Sequence, residues 1–260
     1  LAVLLLIGVM SAGLKAQTPV ATPVIELNLN NTVTFRGEVT EASVMSTEIS
    51  LLALIAKRGT ANYPIYLVMD SPGGEVDSGL DFIRFVKQYP NVHTVTIFAA
   101  SMAAGIVEGL PGNRYMAEGG IIMFHRARGG FEGQFEDGEL ESRLNMAKDI
   151  VRGMEQMNAD RMGMSLADYK AKIKDEMWLI GDKAVKQRAT DLVVGIKCSP
   201  DLIAAHDTVR VQIMIFQANF DFSKCPLIRG GKPSDDKSEK FYLKNREKID
   251  KKLTKPIVGV

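Results

Sequence analysis

Cysteine, histidine and tryptophan are scarce in this 260-residue chain, and neither charge is in surplus. The two cysteines are Cys198 and Cys225, and the three histidines are His93, His125 and His206. They are scattered, with no pair at metal-ligand spacing, which argues against a zinc site; no cofactor is expected. A formal net charge of +1 gives no whole-chain reason to expect nucleic acid or a membrane surface as a partner. Long apolar runs are also missing, except at the start. Residues 1–10 are uniformly apolar, and the first charge is Lys15. That stretch is short for a bilayer span but has the length of a signal-peptide core, with cleavage near Ala16. Residues 1–16 therefore read as a signal peptide or anchor, the alternative being a buried strand. Under the first reading the protein is exported or periplasmic, and otherwise it is cytoplasmic. In an oxidising compartment a disulfide between Cys198 and Cys225 is reasonable, and in the cytosol both are ordinary thiols.

What is present is an ordinary globular composition, 46% hydrophobic and 24% charged, long enough for one large domain with an extension. The 13 methionines suit adaptable packing in cores or subunit contacts. Residues 17–31, rich in Thr, Pro and Asn, read as a linker. A strand is expected over 32–36. Over 41–57 a helix is expected, with Met45, Ile49, Leu52 and Ala56 at helical spacing. Residues 65–69 form a continuous apolar run, which suits a strand covered on both faces. A helix follows over 76–88 with Leu80, Ile83, Phe85 and Val86 inward, then a strand over 92–98, a helix over 101–110 and a strand over 121–124. After a Gly-rich stretch at 129–133, Leu140, Leu144, Ala147, Val151 and Met154 mark a long helix over 137–162. Ser165 is a good N-cap for a helix over 165–174, and residues 192–196 form a closing strand. The β-α alternation across 32–200 predicts an α/β fold with helices layered on a sheet. Residues 201–260 differ. The alternation from Val209 to Phe216 suggests one strand, and the Lys-rich end beyond Arg229 reads as a mobile or partner-binding tail, or simply a solvated terminus.

Three apolar strands end in groups that carry chemistry: Asp70-Ser71-Pro72-Gly73-Gly74, Ala100-Ser101 and Phe124-His125. Sites in parallel sheets form beyond the carboxyl ends of the strands. A serine at a tight strand-to-helix turn is lifted out of the sheet, and the free amides of the helix start point at a developing oxyanion. Serine needs a base within reach, and the base needs an orienting carboxylate. His125 is the best placed of the three histidines, because His93 precedes its strand and His206 lies in the tail. Asp175 and Glu176, just before the expected apolar turn Met177-Trp178-Leu179, are both open as the carboxylate. Each of these elements taken singly is often no more than an N-cap, a structural histidine or a turn. Their order and strand-end context argue for function.

These residues resemble the proteolytic subunit of the Clp protease, in the Clp-protease/crotonase superfamily. The resemblance rests on SPGG at 71–74, AASMA at 99–103, MFH at 123–125, the Gly-rich segment with an acid at 129–137, and LIGDKAV at 179–185. It runs from about Thr32 to Ile196. It implies a parallel-strand core with flanking helices, to which residues 201–260 add a C-terminal extension. It further implies a serine endopeptidase with Ser101 as nucleophile, His125 as base and the Gly74 and Met102 amides as oxyanion hole. The family's Asp, two residues before the aromatic that is here Trp178, is replaced by Glu176. Unfolded polypeptide or short peptides are the implied substrates, a homo-oligomeric ring the implied assembly, and an ATPase unfoldase a possible partner in the cytosol. Residues 126–134 resemble the family segment that reaches a second ring and lies beside extended substrate. Ile97 stands where the family has Gly, Ala127 replaces a usual proline, and an apolar leader and a Pro/Thr linker stand where the family has its N-terminal axial loops. Three other readings stand beside this one. They are a signal-peptide-peptidase-like membrane-associated protease using a Ser-Lys dyad, a crotonase-type acyl-CoA enzyme, and a non-catalytic assembly protein on the same fold.

Overall fold

A computed structural model describes residues 21–58, 63–129, 134–136, 138–213 and 216–253. The apolar leader, the first four residues of the expected linker and most of the 129–133 stretch lie outside these residues. The architecture is α/β, as expected: a parallel-strand core with flanking helices, followed by a C-terminal extension.

Six strands run parallel: β1 (Val24–Leu27), β2 (Thr32–Arg36), β3 (Ile65–Ser71), β4 (Val92–Ala100), β5 (Arg114–Phe124) and, later in the chain, Leu192–Cys198. The helices between them are α1 (Glu41–Arg58), α2 (Val76–Val86), α3 (Met102–Gly109), α4 (Glu139–Met162) and α5 (Leu166–Lys172). Next come β6 (Met177–Ile180), α6 (Asp182–Lys186), the strand Leu192–Cys198, which is β7, and α7 (Pro200–Ala204). The sheet order is β1-β7-β5-β4-β3-β2. The long β5 is shared: residues 115–117 pair parallel with β7, and residues 121–124 pair antiparallel with β6.

The continuous apolar strands are covered on both faces, as their lack of alternation requires. Leu67 and Met69 of β3 join Phe35, Leu51, Phe82, Met102 and Ile106 on the helical side. Val68, between them, points the other way and packs with Leu27, Val95, Leu202 and Cys225. Helix α3 is buried along its whole length and carries Glu108 into the interior. Arg114 pairs with Glu108 and, at 2.6 Å, with Asp191 just before β7. Burial pushes the Glu108 carboxyl up to about 8 against the pull of Arg114.

Several expectations need correction. The stretch expected as a linker contains β1, whose Val24–Leu27 pairs with Gly195–Cys198 of β7. The inward face of α1 is Val44, Thr47, Leu51 and Leu54, whereas Met45, Ile49 and Leu52 are exposed. Both stripes have helical period, so periodicity alone does not choose between them. Leu140 and Leu144 of α4 are likewise exposed, and its buried face lies in its last two turns, at Glu155, Asn158, Ala159 and Met162. Met177-Trp178-Leu179 belongs to strand β6, not to a turn.

The largest difference is at the end of the chain. Residues 206–253 form a folded unit, not one strand and a tail. Strands β8 (His206–Ile213), β9 (Phe216–Ser223) and β10 (Gly231–Pro233) make an antiparallel sheet, and α8 (Asp236–Leu253) packs on it through Ile249 against Ala218 and Phe220. Cys198 and Cys225 are joined in a disulfide that ties this unit to the end of β7. Among the described residues no helix is long and apolar enough to cross a membrane.

Arg114→Met would take the shared guanidinium away from the buried Glu108 and from Asp191. Loss of one partner from a buried pair costs about 3–5 kcal/mol, and denaturant unfolding should show a deficit of that size. A deficit below about 1 kcal/mol would mean that the pair contributes little to the fold.

Candidate active site

Strand β4 ends at Ala100, and the chain turns through Ser101 directly into α3. Ser101 adopts φ 56°, ψ −124°, a region that L-residues rarely enter. Its amide donates to Met123 O (2.9 Å), and its carbonyl accepts from Gly105 N (3.1 Å), so the turn is fixed on both sides. Such strain persists only where the surroundings over-determine it, and it raises the hydroxyl above the sheet.

His125 follows the last residue of β5, and β5 is the neighbour of β4. Its Nε2 lies 2.7 Å from Ser101 Oγ. This is the nucleophile–base pair predicted from sequence. His93 bonds Asn113 N at the amino end of the sheet, and His206 starts β8, so neither competes for the role.

The SPGG loop closes the third side. The Gly73 amide donates to Ser71 Oγ (3.2 Å), and the Glu75 amide donates to Val39 O (2.9 Å). Between them the Gly74 amide has no such partner among the described hydrogen bonds. Gly73 has φ +92°, and a Cβ there would stand 2.5 Å from Ala100 O and 2.7 Å from Ser101 Cβ. The loop therefore lies directly against the serine turn, an approach open only to glycine. Gly74, at φ +154°, is packed as closely against the backbone of Val39. The first amide of α3, that of Met102, is one that helix geometry leaves without an intrahelical acceptor. Gly74 and Met102 both line one cleft with Ser101 and His125.

The carboxylate expected to orient His125 is turned away from it. Glu176 sits at φ 66° just before β6, which pairs Met177 with Phe124 beside His125. Its carboxylate accepts from Trp178 Nε1 (3.0 Å) and lies 3.7 Å from Arg128 Nη2. His125 Nδ1 is buried with no hydrogen-bond partner. The structure thus brings Ser101 and His125 together and places Glu176 near them, turned toward Trp178. Glu176 still acts on the imidazole through space. Burial and the charge of Arg128 hold the His125 pKa below its ordinary value, and Glu176 opposes them. Asp175 is exposed and does not line the cleft.

Sequence reasoning missed the far wall of the cleft. Val76, Met102, Phe124 and Met154 line it with Asn158 and Tyr169, whose side chains are joined by a 2.9 Å hydrogen bond. The signal was weak, because Asn158 and Tyr169 lie on different helices and meet only when α4 and α5 fold back. Arg128, which shifts the base, was part of the HRAR string but suggested no role alone.

Two outcomes follow from this geometry. Gly73→Ala would push the loop off the serine turn and should lower kcat/KM by about 100-fold or more, read by active-site titration and peptide turnover. For pH dependence, a His125 that takes the serine proton must be neutral, so its lowered pKa would extend activity toward acid. Arg128→Ala should move the acidic limb of the kcat/KM profile to higher pH, and Glu176→Gln should move it to lower pH. Shifts in the opposite directions would overturn this account of the base.

Residues 17–195 match the family model for Clp protease. The ATP-dependent Clp protease proteolytic subunit 2 of Cutibacterium acnes (strain DSM 16379 / KPA171202) is 31% identical over 169 residues, covering 64% of this chain and 78% of that protein. The extension after β7 lies outside the family match. A chain matched over most of its length, with its serine and histidine within hydrogen-bond reach at adjacent strand ends, belongs to the Clp protease family of serine peptidases.

Proposed function

We propose that this protein is a serine endopeptidase that cleaves unfolded polypeptides or short peptides through a Ser101–His125–Glu176 triad. The observation that carries the reading is the 2.7 Å approach of His125 Nε2 to the hydroxyl of a serine held on a strained turn. The scissile carbonyl places its oxygen on the Gly74 and Met102 amides. Ser101 Oγ attacks as His125 Nε2 takes its proton, and the same proton passes to the leaving amine. Water, deprotonated by His125, then releases the acyl group. Donors aimed at the oxyanion are worth about 3–4 kcal/mol each in such reactions. As His125 becomes cationic its buried Nδ1–H needs an acceptor. Glu176 supplies one by rotating away from Trp178, a movement compatible with catalytic hydrogen bonds that tighten only with substrate bound.

A homo-oligomeric ring is part of the proposal. Exposed Met45, Ile49 and Leu52 on α1, and Leu140 and Leu144 on α4, support it as apolar surface left open on one chain. Export is proposed too, and the Cys198–Cys225 disulfide supports an oxidising compartment. In such a compartment the enzyme acts without an ATP-driven unfoldase, on chains already extended. Among the described residues no lysine lines the cleft around Ser101, which weighs against the Ser-Lys alternative. The non-catalytic reading draws on one observation, the unpartnered Nδ1 of His125.

The test is labelling of purified protein with a fluorophosphonate, read by mass spectrometry, together with peptide hydrolysis. Label on Ser101, lost in His125→Ala, and a fall of about 10⁴-fold or more in hydrolysis for Ser101→Ala are expected. Folded wild-type protein that takes no label and cleaves no peptide would support the assembly role instead.

A further inference from the structure

Asp70 is the penultimate residue of β3, whose last residue, Ser71, opens the SPGG loop, and its side chain is 1% exposed. A buried carboxylate needs charged partners, and Asp70 has two. Arg36 Nε lies 3.3 Å from its Oδ2, and Arg229 Nη2 lies 2.8 Å from its Oδ1. Arg36 is the register partner of Asp70 across β2 and β3, and its Nη2 donates to Pro226 O (2.7 Å). Pro226 and Arg229 belong to the C-terminal unit. Pro226 directly follows Cys225, which the disulfide anchors to Cys198, and Arg229 lies three residues after Pro226.

The place of this clamp is what matters. Immediately beyond it, residues 37–39 and 73–75 leave the sheet and pair with each other. Gly37 N donates to Asp70 O (3.1 Å), Val39 N to Gly73 O (2.8 Å) and Glu75 N to Val39 O (2.9 Å). The Gly74 amide rides on that pairing. With both oxygens held by guanidinium groups, the Asp70 side chain fixes the ends of β2 and β3 where the two segments depart. A shift of about 1 Å in groups that meet the transition state costs on the order of 100-fold in rate.

We infer that Arg229 is a positioning residue for the oxyanion loop, acting through Asp70, so that the C-terminal unit is a working part of the peptidase. The inference rests on the reading of Ser101 and Gly74 as nucleophile and oxyanion donor. Arg229 does not line the cleft that holds Ser101 and His125, so its effect is expected on the transition state and not on ground-state binding.

The experiment compares full-length wild type with Arg229→Met, Arg229→Lys, Asp70→Asn and the Arg229→Met/Asp70→Asn double variant. Peptide kcat and KM, the rate of fluorophosphonate labelling and the melting temperature are measured for each. Arg229→Met should lower kcat and the labelling rate together by about 10- to 100-fold, with KM within about 2-fold. Arg229→Lys should recover part of the loss. In the Asp70→Asn background, where no buried charge needs a partner, Arg229→Met should add no further loss. Reduction of the Cys198–Cys225 disulfide in wild type should lower kcat in the same way. It serves as the second reading if Arg229→Met does not fold. An unchanged kcat in both Arg229→Met and the reduced enzyme overturns the inference while the peptidase reading stands. So does a loss that follows melting temperature and is not recovered by lysine. Wild type that neither labels nor cleaves overturns the peptidase reading, and the inference falls with it.

Discussion

The fit of Gly73 against the turn that carries Ser101 is the constraint on which the rest of the site depends. A Cβ at Gly73 would overlap Ala100 O and Ser101 Cβ, so the missing side chain sets how close the loop comes to the nucleophile. Ser101 sits in a strained conformation, secured through its amide to Met123 and through its carbonyl to α3. Strain of this kind costs about 1–3 kcal/mol and persists because a buried helix and the central strands hold it. The loop amides, the first amide of α3 and the hydroxyl then converge with little freedom left to any of them.

That rigidity is a property of the sheet. Strands β3, β4 and β5 lie side by side and deliver the Gly pair, the serine and the histidine at neighbouring carboxyl ends. Alternate residues of β3 reach opposite cores, Leu67 and Met69 to the helices, Val68 to Leu202 and Cys225. The face away from the helices is completed partly by residues outside the span matched to the family, and the extension also reaches Asp70 at the root of the loop. Packing, ion pairing and the disulfide thus attach the added unit to the end of the molecule where the chemistry is placed.

Electrostatics at the base are less symmetrical than the backbone geometry. Burial and Arg128 favour neutral imidazole, which suits a base waiting for a proton, and Glu176 works the other way. Glu176 is engaged with Trp178, one methylene longer than the family's Asp, and starts from a left-handed backbone. This arrangement keeps Ser101 and His125 in contact while the Glu176 carboxylate is turned toward Trp178.

The sequence by itself determined the local chemistry. Apolar runs ending in SPGG, AAS and MFH marked the strands and singled out Ser101, His125 and the glycine pair as candidates, because strand period and turn residues are local properties. The Ser165 cap and β2 were legible for the same reason. Only the tertiary structure decided which of two helical stripes on α1 faces inward, since both have the same period. It decided too that β1 adds to the far edge of the sheet, and that the charged end of the chain folds as strands and a helix. Those outcomes come from partners distant in sequence: β7 for β1, and β9 for α8. Asp70 was visible only as the residue before SPGG. Its role depends on Arg36 and on Arg229, 159 residues later, and a contact of that span leaves no trace in local pattern.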